Sequence, residues 1–498
     1  MISAYLHTVN EVLAELHERG FFADCSALVT DHRRLTGPQD VFLAVPGERF
    51  DPRNLADDLL REQRCGLVLV DYNDQRAYQS ASVLPVLNLK TMLADLATGY
   101  YGQPADAMTV IAVTGTNGKT TVTRWLAQAL TALGKKAAVI GTLGYGAPDA
   151  LKSHSGLTTP DVVGVHQLLH ALRRDGFEAV CLEASSIGLE QRRLAGVSID
   201  LAVFTNLSQD HLDYHGSMQA YGQSKLILAG WPTLRAAVVN VNDAFGKEFQ
   251  TVVESRDVQC VTVGQDSFSN CQLLDVQYAA QGMTVQMNWA GQRHTCVSGA
   301  IGHFNAENLA LVFACLGHMG YEAQAVLDAL AAVTPPAGRM QVVADKPCVI
   351  VDYAHTPDAL QKALQTLQPL AQSRAGKLIA VFGCGGDRDR SKRPLMGQIA
   401  VQHADHVVLT SDNPRSEDPT QILKDIQTGI QPEQFFKVNL EVDRVRAIEL
   451  ALTTAADADV VLVAGKGHEE TQTIGDKVLV HSDAACAQAV LGRRGAHA

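Results

Sequence analysis

Between Met108 and Gly134 the chain reads MTVIAVTGTNGKTTVTRWLAQALTALG. An apolar run of strand length gives way to a glycine-bearing loop. The loop opens an apolar stripe at helical spacing: Val122, Trp125, Leu126, Ala129, Leu130 and Leu133, with Gly134 as the stop. A strand, a tight glycine turn and a helix in that order belong to a parallel sheet covered by helices. In the loop, Gly115 and Gly118 let the backbone close around phosphates, and the helix N-terminus adds N–H groups and positive potential. Lys119 suits the β- and γ-phosphates of a nucleotide, and Thr120 suits Mg²⁺. Val113 stands where the general pattern GxxxxGK[ST] has its first glycine, so the motif is a shorter GxxGKT variant.

Three blocks are expected, with boundaries after residues 107 and 335. In block 1–107, VFLAVPG, CGLVLVD and VLPVLNL read as strands, and KTMLADLATGYYGQP as a helix and exit linker. The opening MISAYLHTVNEVLAEL reads as an amphipathic helix and not as a signal peptide. Block 108–335 continues with the strands KAAVIGTLG, FEAVCLEAS, LAVFTNLS and RAAVVNVN, a β-rich stretch over 258–300, and a helix from about Asn305 to Met319. TPPAGRM punctuates the second boundary. In block 336–498 the strands CVIVDYAH, KLIAVFGCG, HVVLTSDNP and DVVLVAGKG alternate with helices. The fold class is therefore α/β, with a central P-loop ATPase-like parallel sheet and a C-terminal doubly wound, Rossmann-like domain.

The balance of charge narrows the partners. A net charge of -12 argues against nucleic acid or a membrane surface as the partner. No apolar run approaches the roughly 18 residues of a membrane span. The ten cysteines are scattered without a CxxC pair, as expected of reduced thiols in a cytoplasmic chain. Small-molecule partners and a monomer are expected.

Ligands of a doubly wound sheet bind at the carboxyl ends of its strands. In the last block those ends carry DYAH, GCGGDRD, SDNPR and GKGHEE. Asp418 and Pro419 read as the N-cap and first turn of a helix over TQILKDIQ, which leaves DNPR and its Arg415 without a structural explanation. In the central block Glu183 ends a strand, as a Mg²⁺ ligand or as an exposed terminus. TNLSQDHLDYHG packs two histidines and two aspartates into one loop, which favours a metal or substrate role. Lys225, in the apolar helix YGQSKLIL, stays open between a structural salt bridge and a chemical role.

The series GTNGKTT, LTTPD, EASS, TNLSQDHLDYHG, YGQSK, GHFNAEN, AGRM, DYAHTPDAL, GCGGDRDRSKRP, DNPR and GKGHE resembles the Mur ligase family of ATP-dependent amide-bond-forming enzymes. The motifs stand in the family's order from Gly115 to Glu469. The resemblance implies a UDP-substrate domain, an ATPase domain and an amino-acid domain. It implies ATP at Gly115, Thr116, Asn117, Gly118, Lys119, Thr120 and Thr121, with Asn305, Arg339 and Asp352 as further nucleotide contacts. Lys119, Glu183, His211 and Lys225 become the catalytic set. Thr120, Glu183, His211 and Lys225, the last as a carbamate, become the Mg²⁺ ligands. Thr158, Thr159, Ser185, Gln191 and Arg193 match contacts to a UDP-muramoyl dipeptide. Arg388, Asp412, Asn413, Pro414, Arg415, Gly465 and Glu469 match the pocket of the incoming amino acid, which the DNPR arginine marks as meso-diaminopimelate over lysine: a guanidinium pairs with a distal carboxylate. The implied reaction activates a D-glutamate carboxylate as an acyl phosphate, which the amine then attacks. Three positions depart from the family: Ile187 for a histidine, Gln341 for a glutamate, and His32 for a serine of the uridine motif.

Overall fold

The strand and helix flanking the glycine loop form as their sequences require. In the computed structural model Thr109–Thr114 is a strand and Lys119–Ala132 a helix, with Val122, Trp125, Leu126, Ala129 and Leu130 all buried. Gly134 follows the helix at φ +88°, the left-handed stop its position promised. The structure describes residues 5–47, 50–72, 78–153, 156–279 and 282–496.

The chain divides into two compact units. One holds Met1–Ala112, Gly134–Ala202 and Gly230–Arg235; the other holds Val113–Leu133, Val203–Ala229 and Ala236–Ala498. The strands Thr109–Thr114 and Leu201–Phe204 therefore each run from the first unit into the second.

In the first unit the strands Leu28–Val29, Val41–Ala44, Leu67–Tyr72 and Val83–Leu87 form a parallel sheet in that order. Its apolar face packs on Val12 and Leu16 of the helix Val9–Glu18 and on Leu89, Leu96 and Ala97 of the helix Leu89–Tyr101. The N-terminal helix begins later than its sequence pattern predicted. Thr8 and Glu11 form a capping box that fixes the start at Val9, while Leu6 instead bridges to Val86. Residues 1–4 of the expected helix lie outside the described residues. The same unit pairs Ala137–Gly141 in parallel with Ala179–Glu183, and antiparallel with Gly144–Ala147. The antiparallel partner follows after only two residues, too few for a parallel crossover.

In the second unit the sequence-predicted β-rich stretch becomes Gln259–Gly264 and an antiparallel meander of Cys271–Ala279, Gly282–Trp289 and Gln292–Ser298. The last block forms a six-stranded sheet. Its order is Gln341–Asp345, Cys348–Asp352, Val460–Ala464, Leu378–Phe382, His406–Leu409, Val438–Leu440, parallel except for the first pair. Alternate residues serve opposite faces. Ile350, Ala380 and Leu462 meet Leu360, Leu364 and Leu367 of the helix Pro357–Ser373; Val349, Val381 and Val463 meet Ile448 and Leu452 of the helix Arg444–Thr454. Both faces are therefore dry, and the polar loops are left at the strand ends.

One ion pair sits beneath those loops. Arg444 and Asp483 are wholly buried. Arg444 donates from Nε and Nη2 to the two carboxylate oxygens at 2.7 Å each, and also to Ser411 O at 3.2 Å and Ala464 O at 2.8 Å. His481 Nε2 stands 2.7 Å from Asp483 Oδ1. Removing one partner leaves the other charge buried alone, a loss of about 3–5 kcal/mol. Asp483→Ala is expected to lower the unfolding free energy of the protein by about that amount, measured by urea denaturation followed by fluorescence or circular dichroism.

Candidate active site

The phosphate loop is held open from behind. Gly115, at φ +147°, lies so close to Thr205 Oγ1 that a side chain there would overlap it, and Gly118, at φ +86°, leaves 2.7 Å between a Cβ and Asn308 Oδ1. Asn206 receives the backbone N–H of Thr116 on its carbonyl at 2.8 Å and that of Asn117 on its side chain at 3.0 Å. Thr205 Oγ1 donates to Asn117 O at 2.6 Å. Lys119 Nζ lies on Gly115 O and Thr116 O, both at 2.8 Å. Thr120 and Thr121 are buried in the first turn of the helix. Asn305 is also buried: its Nδ2 donates to Ile301 O at 2.8 Å and its Oδ1 accepts from Asn308 Nδ2 at 3.1 Å. It thus supports, through Asn308, the turn at Gly118.

Lys225 lies on the helix Met218–Ala229, 1% exposed, its Nζ 4.2 Å over the Tyr221 ring. It makes no salt bridge among the described residues, which sets aside the structural-pair reading. Burial, reinforced by the charge of Lys119, holds its amine well below the usual lysine range. His211 caps the short helix Leu212–His215 at φ +53°, with Nε2 3.6 Å from Asp210 Oδ2. Burial lowers its pKa, against the pull of Asp210. Burial raises the Asp210 carboxyl, but the charges of His355, His211 and Lys392 more than offset this and keep it low. One carboxylate thus sits among several basic side chains.

The AGRM turn is clasped by Asp352, whose two oxygens accept Met340 N at 2.7 Å and Ala354 N at 2.8 Å. Burial raises the Asp352 carboxyl, opposed by the charge of Arg339. Arg339 lays its guanidinium 4.3 Å over the Tyr353 ring. Gln341 Oε1 accepts Gly338 N at 2.8 Å, a bond that its neutral amide makes without a carboxylate.

A second cluster lies in the first unit. Glu183 accepts Thr142 N at 2.8 Å and Thr142 Oγ1 at 3.1 Å, and that threonine also reaches Thr158 Oγ1 at 3.0 Å. Thr159 Oγ1 donates to Glu183 O at 2.7 Å and lies 3.0 Å from Ser185 Oγ. Arg193 donates to Thr159 O at 2.8 Å and to Gln191 Oε1 at 2.7 Å. All five residues expected at the dipeptide site therefore gather around the end of one strand. Ile187 sits in the adjoining turn of helix Ser186–Glu190. His32 lies elsewhere in this unit, its ring 5.7 Å from that of Phe50.

The residues expected at the amino-acid pocket also converge. Gly386 N donates to Asn413 O at 2.9 Å, and Arg415 Nη1 to Gly386 O at 2.8 Å. Arg388 is exposed beside them, its Cγ 3.7 Å from where a Cβ of Gly385 would stand. Pro414 O would be overlapped by any side chain at Gly386. At Gly465, φ +113°, a Cβ would stand only 2.6 Å from Asp412 Oδ2, and Asn413 Nδ2 donates to Glu469 Oε2 at 2.8 Å. Arg415 itself adopts φ +52° and pairs by backbone with Ile474 of the strand Thr471–Ile474. The helix Pro419–Gln427 starts as its sequence predicts, with Asp418 Oδ1 accepting Thr420 N at 3.0 Å.

Several supporting residues escaped the sequence reading. Asn308, three residues after Asn305, and Tyr221, four before Lys225, carry helical-neighbour spacings that would have found them. Lys466 lies inside the quoted GKGHE motif, but nothing in its neighbours says that it is buried.

Residues 113–316 match the Mur ligase middle domain, and residues 338–467 match the Mur ligase, glutamate ligase domain. The chain is 44% identical over 456 residues to the UDP-N-acetylmuramoyl-L-alanyl-D-glutamate--2,6-diaminopimelate ligase of Ectopseudomonas mendocina, covering 90% of this chain and 91% of that one. It superposes on a solved structure of a ligase of the same description with TM-score 0.64 at 33% identity, covering 94% and 95% of the two chains. The MurF ligase from Thermotoga maritima in complex with ADP shares the fold, with TM-score 0.69 at 19% identity, covering 96% of this chain and 99% of that one. The chain belongs to the Mur ligase family.

Proposed function

We propose that this enzyme joins meso-diaminopimelate to the D-glutamate of UDP-N-acetylmuramoyl-L-alanyl-D-glutamate at the expense of ATP, in the synthesis of peptidoglycan precursors. The observation that carries this reading is the 44% identity to a diaminopimelate ligase over nine-tenths of the chain. Blocks 1–107, 108–335 and 336–498 are the proposed UDP-substrate, ATP and amino-acid domains. The proposed sites are those of the family motifs. Gly115, Thr116, Asn117, Gly118, Lys119, Thr120, Thr121, Asn305, Arg339 and Asp352 serve ATP. Thr158, Thr159, Ser185, Gln191 and Arg193 serve the dipeptide. Arg388, Asp412, Asn413, Pro414, Arg415, Gly465 and Glu469 serve the amino acid.

A carboxylate resists an amine because its oxygen is a poor leaving group. Transfer of the γ-phosphoryl of ATP to the D-glutamate γ-carboxylate makes an acyl phosphate and ADP. The amine attacks the carbonyl carbon, phosphate departs, and the amine loses a proton. The chain's part is to orient three anionic partners and offset their charge. Lys119 and Arg339 supply positive charge, and the loop N–H groups receive phosphate oxygens. Asp412 and Glu469 are anionic partners for an ammonium group, and Arg415 is the cationic partner for the distal carboxylate.

An enclosed lysine whose amine burial holds well below the usual lysine range, and which makes no salt bridge among the described residues, fits conversion to a carbamate: its nitrogen bonds to the carbon of CO₂ and a proton leaves. Among the described residues no three His, Cys, Asp or Glu side chains are arranged to hold a metal. The family motifs propose Thr120, Glu183, His211 and Lys225, the last as its carbamate, as the residues that would hold Mg²⁺. These donors are mostly hard oxygens, as Mg²⁺ prefers. Magnesium bound there supplies charge neutralisation of the phosphates. The enzyme is proposed to act in the cytoplasm as a monomer. No helix among the described residues is long and apolar enough to cross a membrane.

The direct test is phosphate release with the muramoyl dipeptide, ATP and a panel of amino acids. Meso-diaminopimelate is expected to exceed lysine; the reverse order would overturn the specificity, and no amino-acid-dependent release would overturn the ligase. Lys119→Ala is expected to cut kcat by about 10²-fold or more with the circular dichroism spectrum unchanged. Lys225→Ala is expected to lose most activity and to regain part of it with added short carboxylic acids, which replace the carbamate oxygens. Arg415→Ala is expected to raise the KM for diaminopimelate by about 10- to 100-fold, the worth of a charge-assisted pair, while the KM for ATP stays within about twofold.

A further inference from the structure

Lys466 is the first charged residue beyond the strand Val460–Ala464, and its side chain is completely enclosed. An ammonium group is costly to bury unless it is paired and hydrogen-bonded. Its partners all belong to the strand-end loops. Nζ donates to Glu469 Oε2 at 2.8 Å and to Asn413 Oδ1 at 3.1 Å. Asn413 Nδ2 donates to the same Glu469 oxygen at 2.8 Å, and Asn413 Oδ1 also accepts Thr473 N at 2.9 Å. Three side chains thus close a triangle that ties the loop 411–415 to the loop 465–469 and to the strand Thr471–Ile474.

The triangle is lopsided. Both donors fall on Oε2 of Glu469, and Oε1 has no hydrogen-bond partner among the described residues. The Glu469 side chain keeps 30% of its surface exposed, whereas Lys466 keeps none. A cation placed only for stability could be satisfied by any buried carboxylate. This one instead fixes a half-exposed carboxylate by one oxygen and leaves the other for a ligand. Arg444 already secures the two strand ends from below, through Ser411 O and Ala464 O.

We propose that Lys466 is a positioning residue for the incoming amino acid: it holds Glu469 and Asn413 so that Oε1 of Glu469 receives the ammonium group. This rests on the ligase reading above. Lys466 touches neither the amino acid nor ATP, and it acts through Glu469. Its removal therefore changes amino-acid use while the nucleotide side is spared.

The test is a set of four proteins: wild type, Lys466→Met, Glu469→Gln and the double variant. Phosphate release is measured against meso-diaminopimelate, ATP and the muramoyl dipeptide, with melting temperatures alongside. Lys466→Met is expected to raise the KM for diaminopimelate at least tenfold and to leave the other two KM values within about twofold. In the Glu469→Gln background the same substitution is expected to change the diaminopimelate KM less than twofold, because the residue it acts through is already altered. The double variant removes both charges and so avoids an unpaired buried one. Equal effects in both backgrounds, an unchanged diaminopimelate KM, or equal rises in all three KM values would overturn the proposal. Failure of both Lys466 variants to fold would assign the lysine to the domain core and overturn it too. A wild type that ligates no amino acid would sink the ligase reading itself and this proposal with it.

Discussion

A parallel sheet covered by helices on both faces has no interior place for a polar side chain, so its chemistry is driven to the rim. The last block obeys this constraint strictly. Ile350, Leu462 and Ala380 fill one face and Val349, Val463 and Val381 the other. The polar loops DYAH, GKGHE, GCGG and DNPR stand at the carboxyl ends of the same strands. The strand Val460–Ala464 lies between Cys348–Asp352 and Leu378–Phe382, so its loop reaches both neighbours. Asp352 O accepts Gly465 N at 3.1 Å on one side, and Asp412 approaches Gly465 on the other. The buried Arg444–Asp483 pair then fixes these ends from beneath.

Much of this was legible in the sequence because it follows from local rules. The strands, the helix behind the phosphate loop and the Asp418 cap are each specified by a few neighbouring residues. So are the glycines at 115 and 118, whose backbone conformations few other residues adopt. The site residues were legible in identity but not in company. Asn305 reads as a ligand contact, and its side chain also bonds Ile301 O and Asn308. Asp352 reads likewise, and its Oδ2 also holds Met340 N of the AGRM turn while its Oδ1 accepts Ala354 N. Such roles depend on contacts between segments far apart in the chain, which periodicity does not encode. Lys466 is the extreme case: its enclosed side chain meets Asn413, more than fifty positions away in the chain. The N-terminal helix shows the reverse, since the Thr8–Glu11 box was present to be read and the apolar pattern before it obscured the start.

Electrostatics gives the second unit its character. Lys119, Lys225, His211, His355 and Arg339 are all cations or potential cations, and Asp210 is the carboxylate whose charge is felt by most of them. Desolvation resolves the crowding by pushing the bases toward neutrality. His355 is lowered by its burial despite Asp210, and His468 is pushed down to about 4 by burial and by Arg339. Burial thus works on His211, Lys225 and His355 alike, each held below its ordinary value.

The position of Val460–Ala464 has a further consequence for how the chain acquires its shape. The strand is central in the sheet but last among its parallel members in sequence. Until residue 464 has left the ribosome, Cys348–Asp352 and Leu378–Phe382 each expose an unsatisfied edge, separated by the width of one missing strand. Local contacts cannot fill that gap, since the closing pairs join residues more than a hundred positions apart on one side. Closure is therefore a late, high-contact-order event. The amino-acid pocket, whose GKGHE loop directly follows the inserted strand, comes into being only at that moment.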